Sequence, residues 1–181
     1  PKGTREAREQ RTLDARDFAA VLGVKSIACH IGFVPEDHSD PDYIAVRDMV
    51  RRICDRAEEH GQTFALETGQ ESADTLMRFI EDAECPNLKI NFDPANMILY
   101  GSGEPIEALQ KVGRFVHSVH CKDAKWAAHP GQDWGQEVAL GEGDVGMERY
   151  LRTRDKLGYH APLTNEREIP EDPPRHKPAS A

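Results

Sequence analysis

The chain has 181 residues, 38% hydrophobic and 30% charged, with a formal net charge of −9. That length can bury a core, and the apolar content excludes a fully disordered chain. The acid excess argues against nucleic acid or an anionic membrane as partner, since phosphate binding needs a basic face.

In chain order one unit recurs: an amphipathic helix, a closing Gly, then a short apolar strand. The first helix is predicted over Arg5–Leu22, with Leu13, Phe18, Val21 and Leu22 as its apolar positions. Gly23 closes it and VKSIACHIGF follows as a strand. PEDHSDPD, with Asp37 and His38, reads as a turn and helix N-cap region. The second helix runs over Pro41–His60, with Ile44, Met49, Val50 and Ile53 on one face, before Gly61 and TFALE. A third helix covers Ser72–Ala83, ends at Pro86 and leads to LKINFD. A shorter one over Pro105–Val112 closes at Gly113 before RFVHSVHC. Ala124–Gly146, with Trp126 and Trp134, reads as a long loop of the kind used as lids or anchors. The last helix, Val145–Leu157, closes at Gly158 before APLTNERE. PEDPPRHKPASA shows no helix pattern, so one unit is expected over residues 1–170 and an irregular Pro-rich tail over 171–181. Cys29, Cys54, Cys85 and Cys121 form no CxxC pair and read as reduced thiols of a cytoplasmic protein. No apolar run approaches the roughly 20 residues of a membrane span.

Strands alternating with helices imply an α/β fold with a parallel sheet, either doubly wound or a (β/α)8 barrel. No GxGxxG or Walker A loop follows a strand. In LKINFD, Lys89, Asn91 and Asp93 share one face, and Leu88, Ile90 and Phe92 the other. A polar face near the strand ends favours a barrel whose inner top is a site; Asn165 departs from this alternation. Four strands end in a metal-capable residue: Glu67, Asp93, His120 and Glu166, with His30 ending the first. Three carboxylates converging on one point need a cation, and three oxygen donors with an imidazole suit one divalent ion, Mn²⁺ foremost, or Mg²⁺, Co²⁺ or Zn²⁺.

FALETG, NFDPANMILYG, HSVHCKDAKW, LGEGDVG and GYHAPLTNERE together resemble the xylose-isomerase-like superfamily of TIM barrels, the sugar phosphate isomerase/epimerase group. The resemblance implies that Glu67, Asp93, His120 and Glu166 hold one divalent metal. The ketose 3-epimerase branch has a His three residues after the metal Asp, where this chain has Asn96, and an Arg six after the metal His, where it has Trp126. The resemblance therefore implies sugar chemistry without that specificity. The endonuclease IV branch needs further His ligands, so DNA repair is not expected.

The expected reaction is isomerisation or epimerisation of a sugar or related polyol through an enediolate, with Glu67 and Glu166 as acid/base pair. His30, Asn96, Lys122 and Trp126 are candidate substrate-binding residues. The alternatives are a metal-dependent lyase of the keto-inositol dehydratase type, or an inactive fragment that only binds metal. Self-association into a homo-oligomer is compatible with either. Eight strands need about 250 residues, and five are legible here. An incomplete barrel lacking about three N-terminal units is therefore expected, in keeping with the absent initiator Met, with an apolar edge at VKSIACHIGF.

Overall fold

The computed structural model describes residues 2–168; the tail expected over 171–181 lies outside the described residues. Its strands are β1 (Ser26–Cys29), β2 (Thr63–Glu67), β3 (Leu88–Phe92), β4 (Val116–Cys121), β5 (Asp123–Lys125), β6 (Gln136–Val138) and β7 (Leu163–Asn165). Its helices are α1 (Arg5–Val21), α2 (Pro41–Glu58), α3 (Ala73–Ala83), α4 (Pro94–Tyr100), α5 (Pro105–Val112) and α6 (Met147–Lys156). Five strands form one sheet in the order β1-β2-β3-β4-β7, every pair parallel. A doubly wound sheet reverses its order at a switch point. Here spatial order follows chain order throughout, the arrangement of a (β/α)8 barrel, of whose eight strands the described residues hold five.

Strand parity divides the sheet into two faces. Phe64, Leu66, Leu88, Ile90, Phe92 and Val119 are buried against the helices, in one core with Val50, Ile53, Leu76, Phe79, Leu109 and Tyr150. Ala65, Glu67, Asn91, Ser118, His120 and Thr164 occupy the inner face, as the register of β2, β3, β4 and β7 requires. A register shift at Ile90/Asn91 brings Ser118 beside Asn91. Asn165 pairs with Cys121, putting it on the helix side, where it is exposed.

Several expectations need correction. Only Ser26–Cys29 of VKSIACHIGF forms a strand. The α1 face that packs inward carries Arg16 and Ala19, while Phe18, Val21 and Leu22 point to solvent. Arg16 belongs there because its Nη1 donates to Arg56 O at 2.7 Å, near the C-terminal end of α2. Ile44 falls outside the buried stripe of α2 formed by Val46, Met49, Val50, Ile53, Cys54 and Ala57. The turn and N-cap reading of PEDHSDPD holds: Asp37 closes a turn on Ser39, and Asp40 caps α2, accepting from Asp42 N at 2.7 Å. Gly113 stays right-handed and continues into a 3-10 turn. The long loop expected over Ala124–Gly146 contains the antiparallel partner of β5, namely β6. One carboxylate organises its return: Asp123 is buried and accepts from the N–H groups of Ala124, Gly141, Gly143 and Val145.

Two stability effects follow. Glu84 ends α3 in the left-handed region, with φ 56°, which costs an L-residue about 1–2 kcal/mol. Its exposed ion pair with Arg51 offsets at most about 1 kcal/mol. Glu84→Gly is expected to raise the unfolding free energy by about 0.5–1 kcal/mol in urea titrations. Glu71 is buried beside Leu76, Phe92 and Met97, and desolvation pushes its carboxyl up to about 7. A folded-state pKa above the unfolded one means that the contribution of this group to stability is greatest in acid and falls as pH rises from about 4.5 to 7. Glu71→Gln should therefore gain about 2–3 kcal/mol over wild type at pH 8 and little at pH 4, in parallel unfolding curves at the two pH values.

Candidate metal centre

Glu67 is the last residue of β2, and His120 stands one residue before the end of β4. Glu166 follows β7 and extends the ladder, its N–H donating to Cys121 O at 3.4 Å. Asp93 follows β3 and is the N-cap of α4: its Oδ1 accepts from Ala95 N at 2.8 Å and Asn96 N at 3.0 Å. Pro94 at the next position suits a helix start. The cap fixes Oδ1, so Oδ2 faces inward. Thr68 locks the same corner, donating to Asp93 O and accepting from Asp93 N.

One donor atom from each of Glu67, Asp93, His120 and Glu166 lies within 4.8 Å of all the others. The imidazole presents Nδ1 to the three acids, 3.5 Å from Glu67 Oε1, 3.3 Å from Asp93 Oδ2 and 3.3 Å from Glu166 Oε2. Burial works against a charged His120, but its hydrogen bonds to Asp93 and Glu67 and the charge of Glu166 carry it up to about 10. Behind the ring, Nε2 meets Asn91 Nδ2 at 3.1 Å, and Asn91 Oδ1 accepts from Ser118 Oγ at 2.7 Å. Which groups donate there follows from the imidazole tautomer. Three like charges around a half-buried imidazole are an arrangement that a divalent cation neutralises, and hard oxygens with one nitrogen suit such an ion. The donor set fits the group.

The other anticipated residues fall in three places. Asn96 and Lys122 are buried beside the cluster. Asn96 Nδ2 donates to Glu67 Oε1 at 3.2 Å, and Lys122 Nζ donates to Glu166 Oε2 at 3.0 Å. Desolvation opposes the lysine charge, yet Glu168, Asp93 and Glu166 hold its pKa above the ordinary lysine value. His30 is exposed at the rim, its Nε2 3.5 Å from Glu67 Oε1. Trp126 packs against the core and its backbone N–H donates to Asp144 Oδ2 at 3.0 Å, so it anchors its segment. Trp134 lies against Tyr100, with ring centroids 4.6 Å apart.

Asn91, Ser118, Thr68 and Glu168 escaped the sequence reading. The inward parity of Asn91 was the available signal. Glu168 had none, because its role depends on a contact between distant segments: Lys122 donates to its carboxylate, and its own N–H donates to Glu137 on β6 at 3.1 Å.

A family described as xylose isomerase-like TIM barrel matches residues 1–181. Among solved structures, a xylose isomerase domain protein from Planctomyces limnophilus is 57% identical, with a TM-score of 0.90, over 92% of this chain and 61% of its own. A xylose isomerase-like TIM barrel protein from Mycobacterium smegmatis, solved in complex with magnesium, shares the fold at 20% identity, with a TM-score of 0.73 over 92% of this chain and 62% of its own. The uncharacterized protein YihM of Escherichia coli (strain K12) is 25% identical over 166 residues, 90% of this chain and 51% of that protein. The chain thus spans about half the length of the curated relative and about three fifths of these solved structures.

Asp93→Asn keeps an acceptor for the α4 cap while removing the inward charge. Calorimetric titration with Mn²⁺ should show affinity reduced by about 100-fold or more, since a charged donor of the cluster itself is lost, a larger change than the 10–100-fold in affinity or activity that an outer partner costs. The unfolding free energy of the metal-free protein should stay within about 1 kcal/mol of wild type, because Asn and Asp cap alike.

Proposed function

The chain belongs to the xylose isomerase-like TIM barrel family, and from this we propose that it is a divalent-metal-dependent isomerase or epimerase of a sugar or related polyol, with Glu67, Asp93, His120 and Glu166 as metal ligands. One observation carries the reading. Among the described residues, the polar contacts of Glu67 run through Oε1, to His120, Asn96 and His30, and those of Glu166 run through Oε2, to His120 and Lys122. Each carboxylate therefore commits one oxygen to the cluster and keeps the other for a proton. A carboxylate used on both oxygens would be a poor base; one used on a single oxygen can hold the site together and still exchange protons with a substrate.

A bound divalent ion supplies Lewis-acid polarisation of a carbonyl and its neighbouring hydroxyl. The protein's own groups do the rest. Oε2 of Glu67 or Oε1 of Glu166 accepts the proton from the carbon next to the carbonyl. The C–H electron pair becomes the C=C bond of an enediolate, and the carbonyl pair moves onto its oxygen. The opposite carboxylic acid then returns a proton. Delivery to the other face of the same carbon inverts it; delivery to the former carbonyl carbon, with the neighbouring hydroxyl proton passing to the former carbonyl oxygen, interconverts ketose and aldose. His30 would hydrogen-bond a substrate hydroxyl, a role supported by its exposure at the rim beside Glu67.

The test is hydrogen exchange at carbon. With Mn²⁺ and a ketose such as D-fructose or D-ribulose in D₂O, proton NMR should show deuterium entering next to the carbonyl. Glu67→Gln and Glu166→Gln should each slow this by about 10²–10⁴-fold, the range of a positioned acid or base. Unchanged exchange in both variants would overturn the assignment. A dicarbonyl absorbance in place of exchange would mark loss of water, the lyase outcome.

A further inference from the structure

Lys122 stands on the inner face two residues beyond His120, and Asn96 lies in the first turn of α4. Both are buried, Lys122 to 1% exposure and Asn96 to 3%. Asn96 Nδ2 donates to Glu67 Oε1 and to Thr68 O, each at 3.2 Å. Its Oδ1 accepts from Lys122 Nζ at 3.2 Å. The ammonium donates onward to Glu166 Oε2 at 3.0 Å and to the Glu168 carboxylate. Glu67, Asn96, Lys122 and Glu166 thus form one continuous line of hydrogen bonds beside the four-ligand cluster.

We infer that Asn96 and Lys122 are a positioning pair, which fixes the two acid/base carboxylates relative to each other by holding one chosen oxygen of each. The inference rests on the acid/base reading above. The donor and acceptor inventory leaves little freedom. An ammonium has three donors and no acceptor; here Asn96, Glu166 and Glu168 receive them. Lys122 is therefore engaged inside the protein and is not an anchor for a substrate anion. The Asn96 amide has one workable orientation, because turning it over would face Oδ1 toward a carboxylate and a carbonyl, and Nδ2 toward an ammonium. Glu168 is itself held by β6 through Glu137, so the hairpin braces the line from outside.

A second effect separates this role from plain structural support. The lysine charge sits against Glu166 Oε2, the same oxygen that faces His120. It opposes a cation in the cluster while it aims the carboxylate. Removing it should strengthen metal binding and weaken turnover together, whereas loosening a merely structural contact weakens both.

The experiment uses the full chain with two variants, Lys122→Met and Asn96→Ala. Calorimetry with Mn²⁺ and deuterium exchange into D-fructose or D-ribulose are the readouts, and thermal unfolding checks folding. Lys122→Met is expected to bind Mn²⁺ about 3–10-fold more tightly while kcat for exchange falls about 10–100-fold, with KM little changed. Asn96→Ala breaks the line without changing charge. Its Mn²⁺ affinity should stay within about 2-fold of wild type while kcat falls at least about 10-fold. Unchanged or weaker Mn²⁺ binding by Lys122→Met overturns the inference, as does wild-type kcat in both variants. If wild type binds Mn²⁺ and exchanges no deuterium, the acid/base reading fails instead, and the Mn²⁺ titration of Lys122→Met still decides the role of the lysine.

Discussion

Negative charge crowded at one edge of the sheet is the constraint to which the surrounding structure answers. Glu67, Asp93 and Glu166 aim oxygens at one imidazole within 4.8 Å, and Asp93 is entirely buried. Unbalanced, such a group repels itself, and a low local dielectric sharpens the repulsion. The protein meets it with fixed donors: the backbone N–H groups at the start of α4 for Asp93, the Asn96 amide for Glu67, and the Lys122 ammonium for Glu166. Each donor is rigid because it belongs to a helix or the sheet or is buried among partners. The acids consequently have little freedom to swing apart, and the cost of assembling them is met during folding rather than when a ligand arrives.

Much of the architecture follows from the need to deliver those donors. Parallel strands in chain order bring Glu67, Asp93, His120 and Glu166 from four separate units to one edge. A helix begins immediately after Asp93, so one carboxylate serves the fold with one oxygen and the site with the other. The β5–β6 hairpin is linked to the site through Glu137, the Glu168 backbone and Lys122. Asp123 gathers four backbone N–H groups and closes the return from that hairpin, tying the outer segment to the strand that carries His120.

The legible part of this design was the part written in local patterns. Period-2 alternation located β2 and β3, and helical spacing located α3, because in each the buried face coincides with a run of large apolar residues. The three inward acids and the imidazole were legible because parity and strand ends together restrict where a side chain can point. Reading failed where a partner distant in sequence decides the outcome. Arg16 takes an inward position because a carbonyl near the end of α2 awaits it, and Phe18 goes outward on the same helix. Helix α4 is too short, at seven residues, to display a period. Lys122 was legible as a polar inward residue, but nothing nearby in the chain announces its partner Glu168, forty-six residues on.

The segment between β5 and β6 rests on α4 through close main-chain approaches as well as through Trp134 on Tyr100. A methyl group on Gly101 would fall 2.0 Å from Gly131 N, and one on Gly135 would fall 2.7 Å from Lys125 O and 3.0 Å from Ile98 O. Contacts of this kind are blind to the identity of the residues between them. The exposed side chains of His129 and Gln132 can therefore change while the path of the backbone stays constant, whereas a single added carbon at Gly101 or Gly135 meets backbone atoms that must shift. Backbone packing at these two glycines, and not the exposed side chains of His129 and Gln132, therefore sets how the hairpin sits on the helix that Asp93 caps.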